Sequence, residues 1–182
     1  SKTATVNVNA SPTVAVNSAS VCSGSSSALS ASGATTYSWN TGATTNSISV
    51  TPTTTTNYTV TGTTNGCSNS QVATVSVTAG PIVSVNNSTI CVGNNASLTA
   101  SGATTYSWSS GSTTNSISVS PTVTTNYTVT GTTNGCSSAK VATVNVNALP
   151  NITVASTTIC AGSTSTLVAS GATTYTWNTG AT

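Results

Sequence analysis

Few side chains in this sequence can do chemistry. Five cysteines and two lysines, Lys2 and Lys140, are the main reactive groups, and there is no Asp, Glu or His among the 182 residues. General acid–base catalysis needs a group that holds and releases a proton near neutral pH, and His, Asp and Glu are its usual suppliers. Ser, Thr and Cys nucleophiles are plentiful but have no base to activate them. Calcium and magnesium want carboxylate oxygens, and a hydrolytic zinc wants His or carboxylate beside its thiolates. Nucleic acid is held by clustered Lys and Arg over phosphates, and two distant lysines cannot supply that. The composition therefore predicts a protein that is not an enzyme, with no cofactor, no metal and no nucleic-acid partner. What remains for the cysteines is to bond to one another.

Their spacing shows the organisation. Cys22, Cys91 and Cys160 recur with a period of 69, as do Cys67 and Cys136, and as do Trp39, Trp108 and Trp177. Gly33–Cys67 matches Gly102–Cys136 at 30 of 35 positions, with only small or polar exchanges such as Asn40 for Ser109. Similarity at one fixed period means an array of like units. The period divides the chain into the end of a preceding unit (1–10), two full units (11–79 and 80–148) and the N-terminal half of a third (149–182). The expectation is an array that continues on both sides. No signal peptide or membrane-spanning run is present in this stretch.

The elements that must position these residues have a period of two. Val14 and Val16 share a face, then Leu29 and Ala31, Tyr37 and Trp39, Ile48 and Val50, Tyr58 and Val60, and Ala73, Val75 and Val77. That alternation predicts strands with one buried face. Turn residues separate them, among them Ser23-Gly24, Gly33-Ala34, Thr51-Pro52 and Asn65-Gly66. Asn-Gly suits a tight hairpin, because both residues tolerate positive φ. Six strands are clear in each unit, and Gly42–Asn46 offers a short seventh. The reading is all-β: tandem immunoglobulin-like β-sandwich repeats, one per 69-residue period, with six to seven strands each. Trp39, Trp108 and Trp177, with Tyr58 and Tyr127, are the expected core aromatics. Val, Ile and Thr suit a pleated, half-buried surface and argue against disorder, although charge is almost absent. Pro12, Pro81 and Pro150 mark short, stiff links between units.

Two disulfide pairings stay open. The plain one lies inside a unit, Cys22–Cys67 and Cys91–Cys136. In a seven-strand sandwich, however, Cys22 precedes the second strand at one pole and Cys67 follows the sixth at the other. Strands of about five residues separate the poles by more than ~15 Å, and a disulfide needs Cα atoms within about 7 Å. The other pairing joins neighbours, Cys22 to Cys136. With six strands both cysteines would reach one pole. Free buried thiols are the third reading. Either disulfide implies an oxidising, extracellular setting.

The runs Tyr37-Ser-Trp-Asn-Thr-Gly and Asn57-Tyr-Thr-Val-Thr-Gly-Thr-Thr-Asn-Gly-Cys67, with Cys160-Ala-Gly-Ser-Thr-Ser-Thr-Leu-Val-Ala-Ser-Gly, resemble the Ig-like/PKD-like tandem repeats of giant Bacteroidota cell-surface adhesins. The resemblance covers the whole chain. It implies export by the type IX secretion system and a role in attachment, as in the adhesins of gliding motility.

Other features have blander explanations than they first suggest. Three Trp could stack on sugars, but their shared step-two face with Tyr37, Tyr106 and Tyr175 favours the core. Thr53–Thr56 is Thr-rich like an ice-binding face, but a period of 69 is no short solenoid coil. Lys140 could form an isopeptide bond, but no carboxylic acid is present to shuttle its proton, and Gln71 occupies the same place one unit earlier. Two functions follow: a structural repeat in the shaft of an extracellular adhesin or filament, or a multivalent module that grips surface glycans or a partner protein. The expected partners are adjacent repeats of the same chain and other copies in a filament. Edge strands without protective lysines are open to such lateral pairing.

Overall fold

A computed structural model describes residues 2–180; Ser1 of the 1–10 segment and Ala181 and Thr182 of the 149–182 segment lie outside the described residues. The chain forms tandem immunoglobulin-like β-sandwiches and contains strands but no helix among the described residues. The first sandwich comprises β1 (Ala15–Val16), β2 (Ala19–Cys22), β3 (Ser27–Ser32), β4 (Thr36–Trp39), β5 (Ser47–Val50), β6 (Thr56–Thr64) and β7 (Cys67–Thr78). Its sheets have the order β1-β3-β5 and β2-β7-β6-β4. The second repeats it with β8 (Ser84–Val85), β9 (Ser88–Cys91), β10 (Ala96–Ser101), β11 (Thr105–Trp108), β12 (Ser116–Val119), β13 (Thr125–Thr133) and β14 (Cys136–Asn147). The corresponding sheets are β8-β10-β12 and β9-β14-β13-β11.

The alternation of small apolar and polar residues decides the layers. In β3 the pattern Ser27-Ala-Leu-Ser-Ala-Ser32 buries every other residue, so Leu29 and Ala31 face Val60, Ala73 and Val75 of the other sheet. The second core repeats this with Leu98, Ala100, Val129, Ala142 and Val144. Because the inward side chains are small, the sheets can approach closely. Gly62 in β6 shows how closely: a Cβ there would lie 2.6 Å from both Val14 Cγ2 and Ala34 Cβ.

The seventh strand lies elsewhere than the sequence suggested. Gly42–Asn46 forms no strand; the seventh is β2, which continues from β1 and pairs parallel with β7, Ala19 to Val75 through Cys22 to Thr78. The physical reason is Trp39. Its amide donates to the Ala43 carbonyl at 2.8 Å and its indole N–H to the Thr45 carbonyl at 2.9 Å, which occupies the loop backbone with one residue rather than a neighbouring strand. The loop still carries the chain back across the sandwich. The pairings β1–β3, β3–β5, β4–β6, β6–β7 and β2–β7 make β4 and β5 run the same way, so 40–46 must return between them. Cys22 and Cys67 are therefore at opposite poles, as a seven-strand count requires and a six-strand count does not.

The third set of strands is β15 (Thr153–Val154) and β16 (Ala169–Ser170). They pair antiparallel, as β8 and β10 do. Nothing equivalent to β6 or β7 covers them among the described residues, so Leu167 is 47% exposed where Leu98 is 0%.

Candidate functional site: the junction between sandwiches

The junction is built from turns. After Cys22, Gly24 takes φ +77°, and the Ser25 amide donates back to the Cys22 carbonyl at 2.9 Å. Glycine reaches that left-handed backbone without the Cβ penalty. The amide of Ser23 donates to Thr78 and that of Gly24 to Pro52, both at 3.0 Å. The hydroxyl of Ser23 donates to the Thr53 carbonyl at 3.1 Å. These bonds fix the end of β2 beside the end of β7. Across the junction, Asn134 (φ +51°) and Gly135 (φ +77°) form the tight β13–β14 hairpin and place Cys136 first on β14. Positive φ at both positions marks the turn whose twist matches its strands.

Cys22 and Cys136 are joined by a disulfide, with Cα atoms 5.5 Å apart and a sequence separation of 114. The bond links the end of β2 in the first sandwich to the start of β14 in the second. The pairings Cys22–Cys67 and Cys91–Cys136 inside a unit do not form, because the members of each pair sit at opposite poles. The sulfur of Cys136 lies 3.7 Å from the Thr78 carbonyl oxygen, and Cys136 is only 2% exposed. The peptide link crosses the same gap. A Cβ on Gly80 would come within 2.9 Å of Ser138 Oγ, so the linker lies against β14.

Cys67 occupies the place of Cys136 one unit earlier, and the likeness extends to its surroundings. Its thiol donates to the Asn9 carbonyl at 3.5 Å, and Asn9 stands one full period before Thr78. The Asn9 side-chain amide donates to the Asn65 carbonyl at 3.1 Å, and that of Asn69 to Pro12 at 3.1 Å. Cys67 is half-buried, and Cys91 and Cys160 are exposed; all three are free. The turn after Cys91 is the same as that after Cys22: the Val92 amide donates to Asn147 at 3.0 Å and that of Asn94 to Cys91 at 3.1 Å.

The aromatic residues lie away from the junction. Trp39 and Trp108 are buried. The indole N–H of Trp108 donates to Thr114 at 2.8 Å, matching Trp39. Tyr58 and Tyr127 are half-buried against the two cores. Trp177 is half-buried too, on the third set of strands. There it lines an open hollow of about 230 Å³ with Ile152, Val154, Ala169 and Tyr175. In the complete sandwiches strands β6 and β13 close that space. Outer faces of the complete sandwiches carry hydroxyl pairs, Thr61–Ser70 and Thr63–Ser68 at 2.8 Å each. The Thr53–Thr56 run forms no flat array. Thr53 accepts from Ser23, the Thr56 hydroxyl donates to the Thr54 carbonyl, and Thr55 Oγ1 accepts the Val77 amide at 3.0 Å. Lys140 is exposed on β14, opposite Val129.

Sequence reasoning missed β2, the Ser23–Gly24–Pro52 corner and the close approach at Gly80. The first had a signal in the apolar step Ala19–Val21, and the others had none beyond a glycine at a boundary.

No family model matches the chain, and no curated protein matches it. Among solved structures it is similar to immunoglobulin domains 1–4 of Sidekick-1, at 14% identity over 75% of this chain and 48% of that one, TM-score 0.36. It is also similar to extracellular domains 3–5 of Drosophila OTK, at 11% identity over 75% and 62%, TM-score 0.39. The N-terminal eight immunoglobulin domains of DSCAM match at 13% identity over 78% and 28%, TM-score 0.39. The chain thus spans about half the length of the Sidekick-1 chain and less than a third of the DSCAM chain. Its assignment as a tandem of immunoglobulin-like sandwiches rests on its own strand order and pairing.

Proposed function

We propose that the chain is a structural repeat from the shaft of an extracellular adhesin or filament, of the cell-surface type its sequence resembles, and that it holds an adhesive tip away from the surface. The observation that carries this reading is the covalent stitch between consecutive sandwiches. A disulfide beside the peptide link restricts bending and twisting at the junction, which serves a spacer and is superfluous for independent beads. The bond also fits an oxidising compartment. The outer faces add support: in the complete sandwiches the Trp residues are buried, and what faces outward is mostly Ser and Thr.

The alternative is a multivalent module for surface glycans, in which many weak sites would raise avidity. A glycan array probed with the oxidised chain separates the two. The shaft predicts no selective retention above a control protein of the same charge. Selective retention of one glycan class would replace the shaft by the binding module.

A further inference from the structure

The disulfide changes which parts of the chain are connected end to end. Starting at Lys2, the backbone passes through β1 and β2 to Cys22, crosses the bond to Cys136, and continues through β14 and on to Cys160. This route uses only Lys2–Cys22 and Cys136–Cys160. Everything between Cys22 and Cys136 is left off it. A second route starts at Cys67 and runs through β7, the linker, β8 and β9 to Cys91, with no crossing. The two routes are hydrogen-bonded to each other in both sandwiches. In the first, β2 of one route pairs parallel with β7 of the other. In the second, β14 of the first route pairs parallel with β9 of the second. The routes exchange roles at the junction, and both point the same way.

We infer that the first route, closed by the Cys22–Cys136 bond and flanked by the second, is a tension-bearing element, and that while the bond is intact the two sandwiches do not lengthen under load. A β-strand already rises about 3.3 Å per residue, and a fully stretched chain reaches at most ~3.6 Å. Within the two sandwiches, where the route is mostly strand, pulling therefore gains little. The strands β3 to β6 and β10 to β13 hang from the route as side loops and carry no end-to-end load. The inference rests on the shaft reading for its purpose, though not for its geometry: a shaft could also stretch.

The test is single-molecule stretching of the chain with one handle before Lys2 and the other on Cys160, in a Cys67→Ser/Cys91→Ser background so that only Cys160 takes the handle. With the bond intact, the expected trace rises smoothly to a contour of about 160 Å, roughly 3.5 Å for each residue on the route, with no step the size of a unit. Dithiothreitol is then added to the same molecules. It donates two electrons and two protons to the bond, leaving thiols at Cys22 and Cys136 and a cyclic disulfide in the reductant. Unfolding steps should now appear and release about 390 Å more. A Cys22→Ser/Cys136→Ser variant should behave like the reduced chain without reductant. If traces before reduction already release lengths like those after it, the load route is wrong, and the shaft reading survives as an extensible spacer. Selective glycan retention would remove the shaft and leave the load route untouched.

Discussion

At the scale of single residues, Gly62 is a constraint set by side-chain packing, with Gly131 in the same place one unit later. Neither takes a left-handed backbone. Each is glycine because the opposite sheet leaves no room: a Cβ would stand 2.6 Å from Val14 Cγ2 in the first sandwich and from Val83 Cγ2 in the second. Overpacking of this kind costs about 1–3 kcal/mol. Gly62→Ala should therefore lower the stability read from urea unfolding by that amount, and adding Val14→Ala should recover part of the loss by opening the space. An unchanged urea midpoint for Gly62→Ala would refute the packing argument. Gly33 is held differently, with φ +89° and the Thr13 carbonyl oxygen where a Cβ would go. The sequence showed that both positions were glycine, but not which of the two reasons applied, since close approach between sheets leaves no local trace.

At the scale of elements, the hairpins and the buried faces were legible because their causes are local: alternation along β3 and β6, and Asn-Gly between β6 and β7. The parallel pairing of β2 with β7 was not, since its partners are far apart along the chain. The loop after Trp39 misled for a related reason. Its length and hydroxyl-rich composition would serve a strand, and the indole hydrogen bond that claims its backbone is visible only in three dimensions. The expected core aromatics show the same division: Trp39 and Trp108 are buried, while Tyr58 and Tyr127 are half-buried against the cores. The Cys22–Cys136 bond closes a long loop, with a sequence separation of 114. On a chain-entropy treatment a loop of that size is worth about 5 kcal/mol, and disulfides of this kind typically deliver about 2–4 kcal/mol. In a variant lacking Cys67, Cys91 and Cys160, reduction should lower the stability read from urea unfolding by about 2–4 kcal/mol. The same midpoint with and without reductant would mean that the junction is held by packing alone.

At the scale of the whole molecule, the lack of charge has a measurable consequence. The slope of stability with pH is set by the difference in protons bound by the unfolded and folded states. Without Asp, Glu or His, that difference is close to zero from about pH 4 to 7, where only the chain termini begin to titrate. The oxidised chain should keep its melting temperature nearly constant across that range. A drop in acid, usual for proteins stabilised by paired carboxylates, would contradict it. Solubility rests instead on Ser, Thr and Asn at the surface, whose hydrogen bonding is indifferent to acid. The 69-residue array and its sandwich class could be read from the sequence; the order in which the two routes pass through it could not, because that order depends on which sheet each strand joins.

The stitch also sets an order in time. Cys22 cannot find its partner until 114 more residues have been made. At the usual pace of ~5–20 residues per second, that is about 6 to 23 seconds. During that interval the first sandwich has no covalent link to the second beyond the chain itself, and two other thiols, Cys67 and Cys91, arrive before the correct one. Once the strands are paired, Cys67 stands at the far pole of its own sandwich and Cys91 at the far pole of the next, both away from Cys22. Each sandwich therefore has to be properly folded before it can be properly sealed, and the bond serves as a record that two successive units were built in the right order.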